Sequence, residues 1–162
     1  MYIKNMIDLQ AELDEMVEER NDIELSSDEN VRNRVLAYKV ELGELANEIG
    51  FFKYWKQSHQ LDFMKLGDEL ADVIHLLLSV GISRKYTPMF KEIEPFPFYE
   101  DAEFQDMFEQ LFRNELDSSA QWHHAMSIIL GIGLKLGFTE SEIYDLYEYK
   151  NTINRKRQEG GY

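Results

Sequence analysis

Apolar residues recur along most of the chain at steps of three and four, the period of a helix with one buried face. Ile3, Met6, Ile7, Leu9, Leu13, Met16 and Val17 predict a first helix over about 3–20. Ser26-Ser27-Asp28-Glu29 offers a capping box ahead of a second helix that runs to about Ile49. Its stripe is Val31, Val35, Tyr38, Leu42, Leu45 and Ile49. Asp62 is placed to cap a third helix reaching about Arg84, with Leu66, Leu70, Val73, Ile74, Leu77 and Val80 inside. The three prolines lie between positions 88 and 97, within TPMFKEIEPFPFYED, a turn-rich connection. A fourth helix is expected over 102–116. Ser118 opens a fifth, which stops at Gly137. Thr139-Glu140-Ser141-Glu142 is another capping box, for a last helix ending near Glu159. No stretch alternates long enough to predict a sheet. The expected fold class is all-α, a helical bundle of about six helices forming one domain over 1–162.

Composition sharpens this picture. A chain of 162 residues, 44% apolar and 30% charged, is long enough for one sizeable core and reads as a soluble globular protein. With 31 acidic against 17 basic residues, most of its surface would repel duplex phosphates, so no nucleic-acid partner is expected. No apolar run approaches the ~20 residues of a membrane span, and the acidic, amphipathic start does not resemble a secretion signal. The absence of cysteine rules out disulfides, zinc-thiolate sites and thiol catalysis. A cytoplasmic location is the expectation.

The acids are unevenly placed. Glu41-Leu-Gly-Glu44 falls on the second helix, followed by Asn47 and Glu48, and Glu69-Leu-Ala-Asp72 falls on the third. Spacing of i, i+3 puts each pair on one side of its helix, flanking the apolar stripe. If the two helices pack antiparallel, the pairs can converge, and their mutual repulsion would call for a hard divalent cation such as magnesium or manganese. Spacing alone leaves open a second reading, in which these are solvated faces beside a core. His75, three residues after Asp72, is by itself more often structural. The final KNTINRKRQEGGY holds Lys150, Arg155, Lys156 and Arg157 against one acid, Glu159, in a chain otherwise strongly acidic. Lys, Arg and amide side chains suit phosphate oxygens. The helix dipole would also favour basic residues there, but it does not account for the asparagines. His123 and His124 are adjacent and point about 100° apart on a helix, so they are read as structural.

Three stretches together resemble the dimeric all-α dUTP diphosphatases, within the MazG-like nucleotide pyrophosphohydrolases. They are ELGELANEIGFFKYWK, DELADVIHLLLS and the tail, which fits a pattern of KN, two residues, N, two residues, RQ, two residues, GY. The resemblance implies magnesium-dependent hydrolysis of dUTP to dUMP and pyrophosphate, with manganese as a substitute. Glu41, Glu44, Glu69 and Asp72 would be the metal ligands and catalytic carboxylates, one of the first pair orienting the attacking water. His75 would sit beside the deoxyribose. Lys150, Asn154 and Arg157 would contact phosphates, with Asn151 and Tyr162 in the same substrate-binding tail. Trp55, Lys53 and Lys56 would shape the nucleotide pocket, and Gln10 is the candidate for reading uracil. A homodimer is implied, and dUDP is a candidate second substrate. The alternatives are a related pyrophosphohydrolase acting on dCTP or another nucleotide, a non-catalytic helical interaction protein that kept the fold, and an acidic helical regulator, for which the aromatic segment 86–99 would be the partner-binding surface.

Overall fold

A computed structural model describes residues 1–57 and 60–160 of the chain. Tyr162, expected to touch substrate, lies outside the described residues. Six α-helices follow in order: α1 (Lys4–Asn21), α2 (Asp28–Ile49), α3 (Phe63–Ser83), α4 (Phe104–Arg113), α5 (Ser119–Lys135) and α6 (Glu140–Gly160). A short 3₁₀ helix, Thr87–Met89, lies between α3 and α4. Each expected cap forms except the box at 26–29, where Ser27 caps α2 alone while Ser26 turns back to Glu24. Ser27 accepts from Asn30 N at 3.3 Å, Ser118 from Gln121 N at 3.2 Å, and Asp62 from Met64 N and Lys65 N. At α6 the box is reciprocal: Glu142 N donates to Thr139 Oγ1 at 3.2 Å, and Thr139 N donates to Glu142 Oε2 at 2.8 Å. Capped ends satisfy backbone donors that each helix would otherwise leave open.

The fourth helix is shorter than the pattern predicts. Asn114 ends it: its Oδ1 accepts from Leu116 N at 2.9 Å, its Nδ2 donates to Gln121 O at 2.8 Å, and Leu116 takes a positive φ of 55°. A side chain that bonds its local backbone competes with the helix. Leu116 is nonetheless buried, so the apolar spacing continued beyond the helix it suggested.

α3 is central because it is apolar on almost every side. Leu66, Leu70, Val73, Ile74, Leu77, Leu78 and Val80 are all buried, and α1, α2, α5 and α6 each pack on it. The turn-rich connection folds back on the bundle. Ile93 is buried, Phe96 N donates to Ser127 O at 2.9 Å, and Ser127 Oγ donates to Glu94 O at 2.7 Å. It also pairs with the first residues through Ile3 N to Lys91 O and one isolated bridge, Tyr2 with Glu92. No strand forms among the described residues. None of their helices is long and apolar enough to cross a membrane.

Candidate active site

The α2–α3 pair is the most extensive helix contact, and it is antiparallel: Arg34 reaches Ser83 at one end, while Glu41 stands by Asp72 further along. This orientation brings the two acidic motifs together. One carboxylate oxygen from each of Glu41, Glu69 and Asp72 lies within 4.8 Å of the others, and all three residues are half-buried. Burial and the neighbouring Asp72, Glu44 and Glu69 charges push the Glu41 carboxyl up to about 7. Glu69 is raised by burial, then by Glu44 and Asp72. Glu44 is exposed and outside the trio, although its charge acts on both.

α6 supplies the opposing charge. Lys150 is buried, with Nζ 2.6 Å from Asp72 Oδ2 and 2.8 Å from Asp68 Oδ1. Burial works against its ammonium form, but the two carboxylates more than offset this, so its pKa lies above the usual lysine range. For Asp72 burial outweighs the lysine and raises the carboxyl.

Beside these carboxylates opens a cavity of about 320 Å³, lined in part by Gln10, Glu41, Asp72, His75, Asn154 and Arg157. Residues from α1, α2, α3 and α6 therefore meet at one place. His75 is buried and stacks on Tyr147, with ring centroids 4.2 Å apart. Its Nδ1 lies 2.7 Å from Gln10 Oε1. Burial pushes its pKa down to about 4, so the ring is neutral near pH 7.

Four other candidates stand elsewhere. Asn151 is buried at the α1–α6 contact, donating to Leu9 O at 3.2 Å and accepting from Arg155 Nε at 2.8 Å. Lys53 donates to Asn47 O at 2.7 Å, and Trp55 packs edge-on to Phe52 and Tyr54. Trp55 and Lys56 are exposed on the α2–α3 connection, and none of these four lines the cavity.

The model of the dUTPase family matches residues 2–162. The chain belongs to the dUTPase family. No curated protein gives a significant match by sequence. As a dUTPase the chain is an enzyme, a dUTP diphosphatase acting on a nucleotide, and its all-helical architecture accords with an all-α bundle. The acidic trio is the place in this dUTPase that could hold a divalent cation.

The cavity wall also contains Asp14, Arg34 and Ser79, which the sequence reading passed over. Each carried a signal. Arg34 sits three residues after Val31 and four before Tyr38, a charge within an apolar stripe. Ser79 interrupts the run LLLSVG, and Asp14 follows Gln10 by one helical turn. Asp68, the second partner of Lys150, had no comparable signal.

Proposed function

We propose that this dUTPase hydrolyses dUTP to dUMP and pyrophosphate with magnesium, and that manganese can substitute. The observation that carries the reading is the convergence of Glu41, Glu69 and Asp72 within 4.8 Å beside the cavity. The donor set fits a hard divalent ion: all oxygen, half-buried, and with Glu41 and Glu69 each raised by burial and by neighbouring carboxylates. These three, with Glu44 at the rim, would hold the ion, which supplies charge neutralisation and polarisation of the phosphoryl group.

The remaining roles follow from placement. Glu41, beside Asp72 in the trio, would orient the attacking water at the metal. Asn154 and Arg157 face the cavity from α6 and serve the phosphates, together with Lys150 once it leaves Asp72. Gln10 and His75, deeper in the same cavity, serve the sugar and base. Phosphoryl transfer depends mainly on such positioning and charge stabilisation. A part for Lys53, Trp55 and Lys56 requires the α2–α3 connection to close towards the cavity, and Asn151 acts by holding α6 on α1. The chain works as one pyrophosphohydrolase domain over 1–162, in a homodimer, in the cytoplasm.

The test is pyrophosphate release from dUTP, dCTP, dTTP, dATP, dGTP and UTP, and phosphate release from dUDP, first with magnesium and then with EDTA. Magnesium-dependent cleavage confined to dUTP, with or without dUDP, supports the proposal. Preferential cleavage of dCTP or another nucleotide overturns the base assignment, and undiminished cleavage in EDTA overturns the metal.

A further inference from the structure

Within the cavity wall a chain of side-chain hydrogen bonds links α2, α3 and α1. Arg34 Nη1 donates to Ser79 Oγ, and Ser79 Oγ donates to Asp14 Oδ2 at 2.7 Å. Asp14 Oδ1 accepts from Gln10 Nε2 at 2.8 Å, and Gln10 Oε1 lies 2.7 Å from His75 Nδ1. Tyr147 Oη is 3.1 Å from the same Gln10 oxygen and donates to Met6 O at 2.9 Å. Gln10, Asp14, His75 and Ser79 are all buried, so an unmatched polar contact here would be costly.

The order of donors and acceptors fixes a proton. An ionised carboxylate only accepts, so Gln10 must turn its NH₂ towards Asp14 and its carbonyl towards His75. A neutral imidazole has one N–H, and a carbonyl facing Nδ1 requires the proton there. The other ring nitrogen, Nε2, lies 3.3 Å from the Tyr147 carbonyl oxygen. That second acceptor would draw the proton to Nε2, so the two contacts compete. The Gln10 amide cannot reverse to settle the conflict, because its carbonyl would then face the Asp14 carboxylate. Burial raises the Asp14 pKa, while Gln10, Ser79 and Arg34 (3.9 Å) act in the opposite direction and favour the ionised form.

We infer that Asp14 is a positioning residue of the nucleotide site: by locking the Gln10 amide, it holds His75 as the Nδ1–H tautomer. Its use in substrate binding rests on the function proposed above, whereas the tautomer does not. The lock gives the site a defined polarity. Gln10 Oε1 is engaged and one Nε2–H is committed to Asp14, so the remaining N–H is what the amide offers a ligand. That donor suits a carbonyl or hydroxyl oxygen of a nucleoside.

The experiment is the ¹⁵N spectrum of the His75 ring in the full chain at pH 8 without nucleotide, followed by steady-state kinetics on dUTP. The unaltered chain is expected to carry the proton on Nδ1. In Asp14→Asn an amide replaces the carboxylate, so Gln10 can reverse and donate to Nδ1, and the proton moves to Nε2 to meet the Tyr147 carbonyl. KM for dUTP then rises about tenfold while kcat stays within about threefold, the size of one binding hydrogen bond. A proton on Nε2 in the unaltered chain overturns the inference, and so does Nδ1–H persisting in Asp14→Asn. A shifted tautomer with unchanged KM overturns the positioning role. Should Asp14→Asn not fold, the spectrum of the unaltered chain still decides. Absence of dUTP hydrolysis by the unaltered chain would refute the proposed function and leave the tautomer result standing.

Discussion

Lys150 Nζ lies 2.6 Å from Asp72 Oδ2, so the last helix places a buried ammonium on a carboxylate of the central helix. The two residues are 78 positions apart in the chain. The contact ties the tail motif to the acidic motif and supplies a cation where three carboxylates crowd together. A half-buried acidic cluster with a lysine bound to it is also poised for exchange, because a metal would relieve the same repulsion.

Replacing Lys150 by Met should therefore destabilise the metal-free protein by about 1–3 kcal/mol, the scale of a lost charge-assisted hydrogen bond. Saturating magnesium should shrink that difference. Urea unfolding with and without the ion checks this, and an equal loss in both would show that the lysine and the metal do not act on the same charge.

Glu41→Gln and Asp72→Asn should each reduce pyrophosphate release from dUTP by at least about a hundredfold, as expected when charge stabilisation is removed from a transition state. Their helical circular dichroism should be unchanged. Glu44→Gln should cost less, since Glu44 is exposed and outside the close trio. Normal turnover in the Asp72 variant would remove the site assignment.

The raised Glu41 carboxyl makes stability depend on pH. Its folded pKa, about 7, exceeds its ordinary value of 4.5, so the folded state holds the proton more tightly. The stabilisation is complete below about 4.5 and is lost as pH rises through about 7. In EDTA, Tm should fall between pH 5.5 and 8, and the fall should be smaller in Glu41→Gln. An identical slope in the variant would contradict this.

Gly81 on α3 lies against the buried Trp122 of α5, and an added Cβ would come within 2.5 Å of the indole. The ring cannot easily yield, because its Nε1 donates to Leu77 O at 2.7 Å. Gly81→Ala should destabilise the fold by about 1–3 kcal/mol despite the better helix propensity of alanine. A thermal melt equal to that of the unaltered chain would show that the helices can shift apart at this point.

Local chemistry by itself determined the helices. The three-and-four spacing, the Ser27, Asp62, Ser118 and Thr139 caps and the Gly137 stop act within a few residues, so they were legible before any packing was known. The two acidic motifs and the tail likewise pointed to a dUTPase. Where prediction overran, at 114–116, the cause was also local: an Asn side chain taking over the backbone.

Only the tertiary structure decided how these helices use their faces. It set Glu41, Glu69 and Asp72 together while leaving Glu44 outside, and it turned Asn151 inward to Leu9 rather than into the cavity. It also joined Asp14, Arg34 and Ser79 into one buried relay behind Gln10 and His75. A helical period says which side of a segment is buried, but its meeting partner depends on side chains that pack across tens of residues of separation. Lys150 shows the difference: its charge is written in the sequence, whereas its partners, Asp68 and Asp72, exist only once α6 lies against α3.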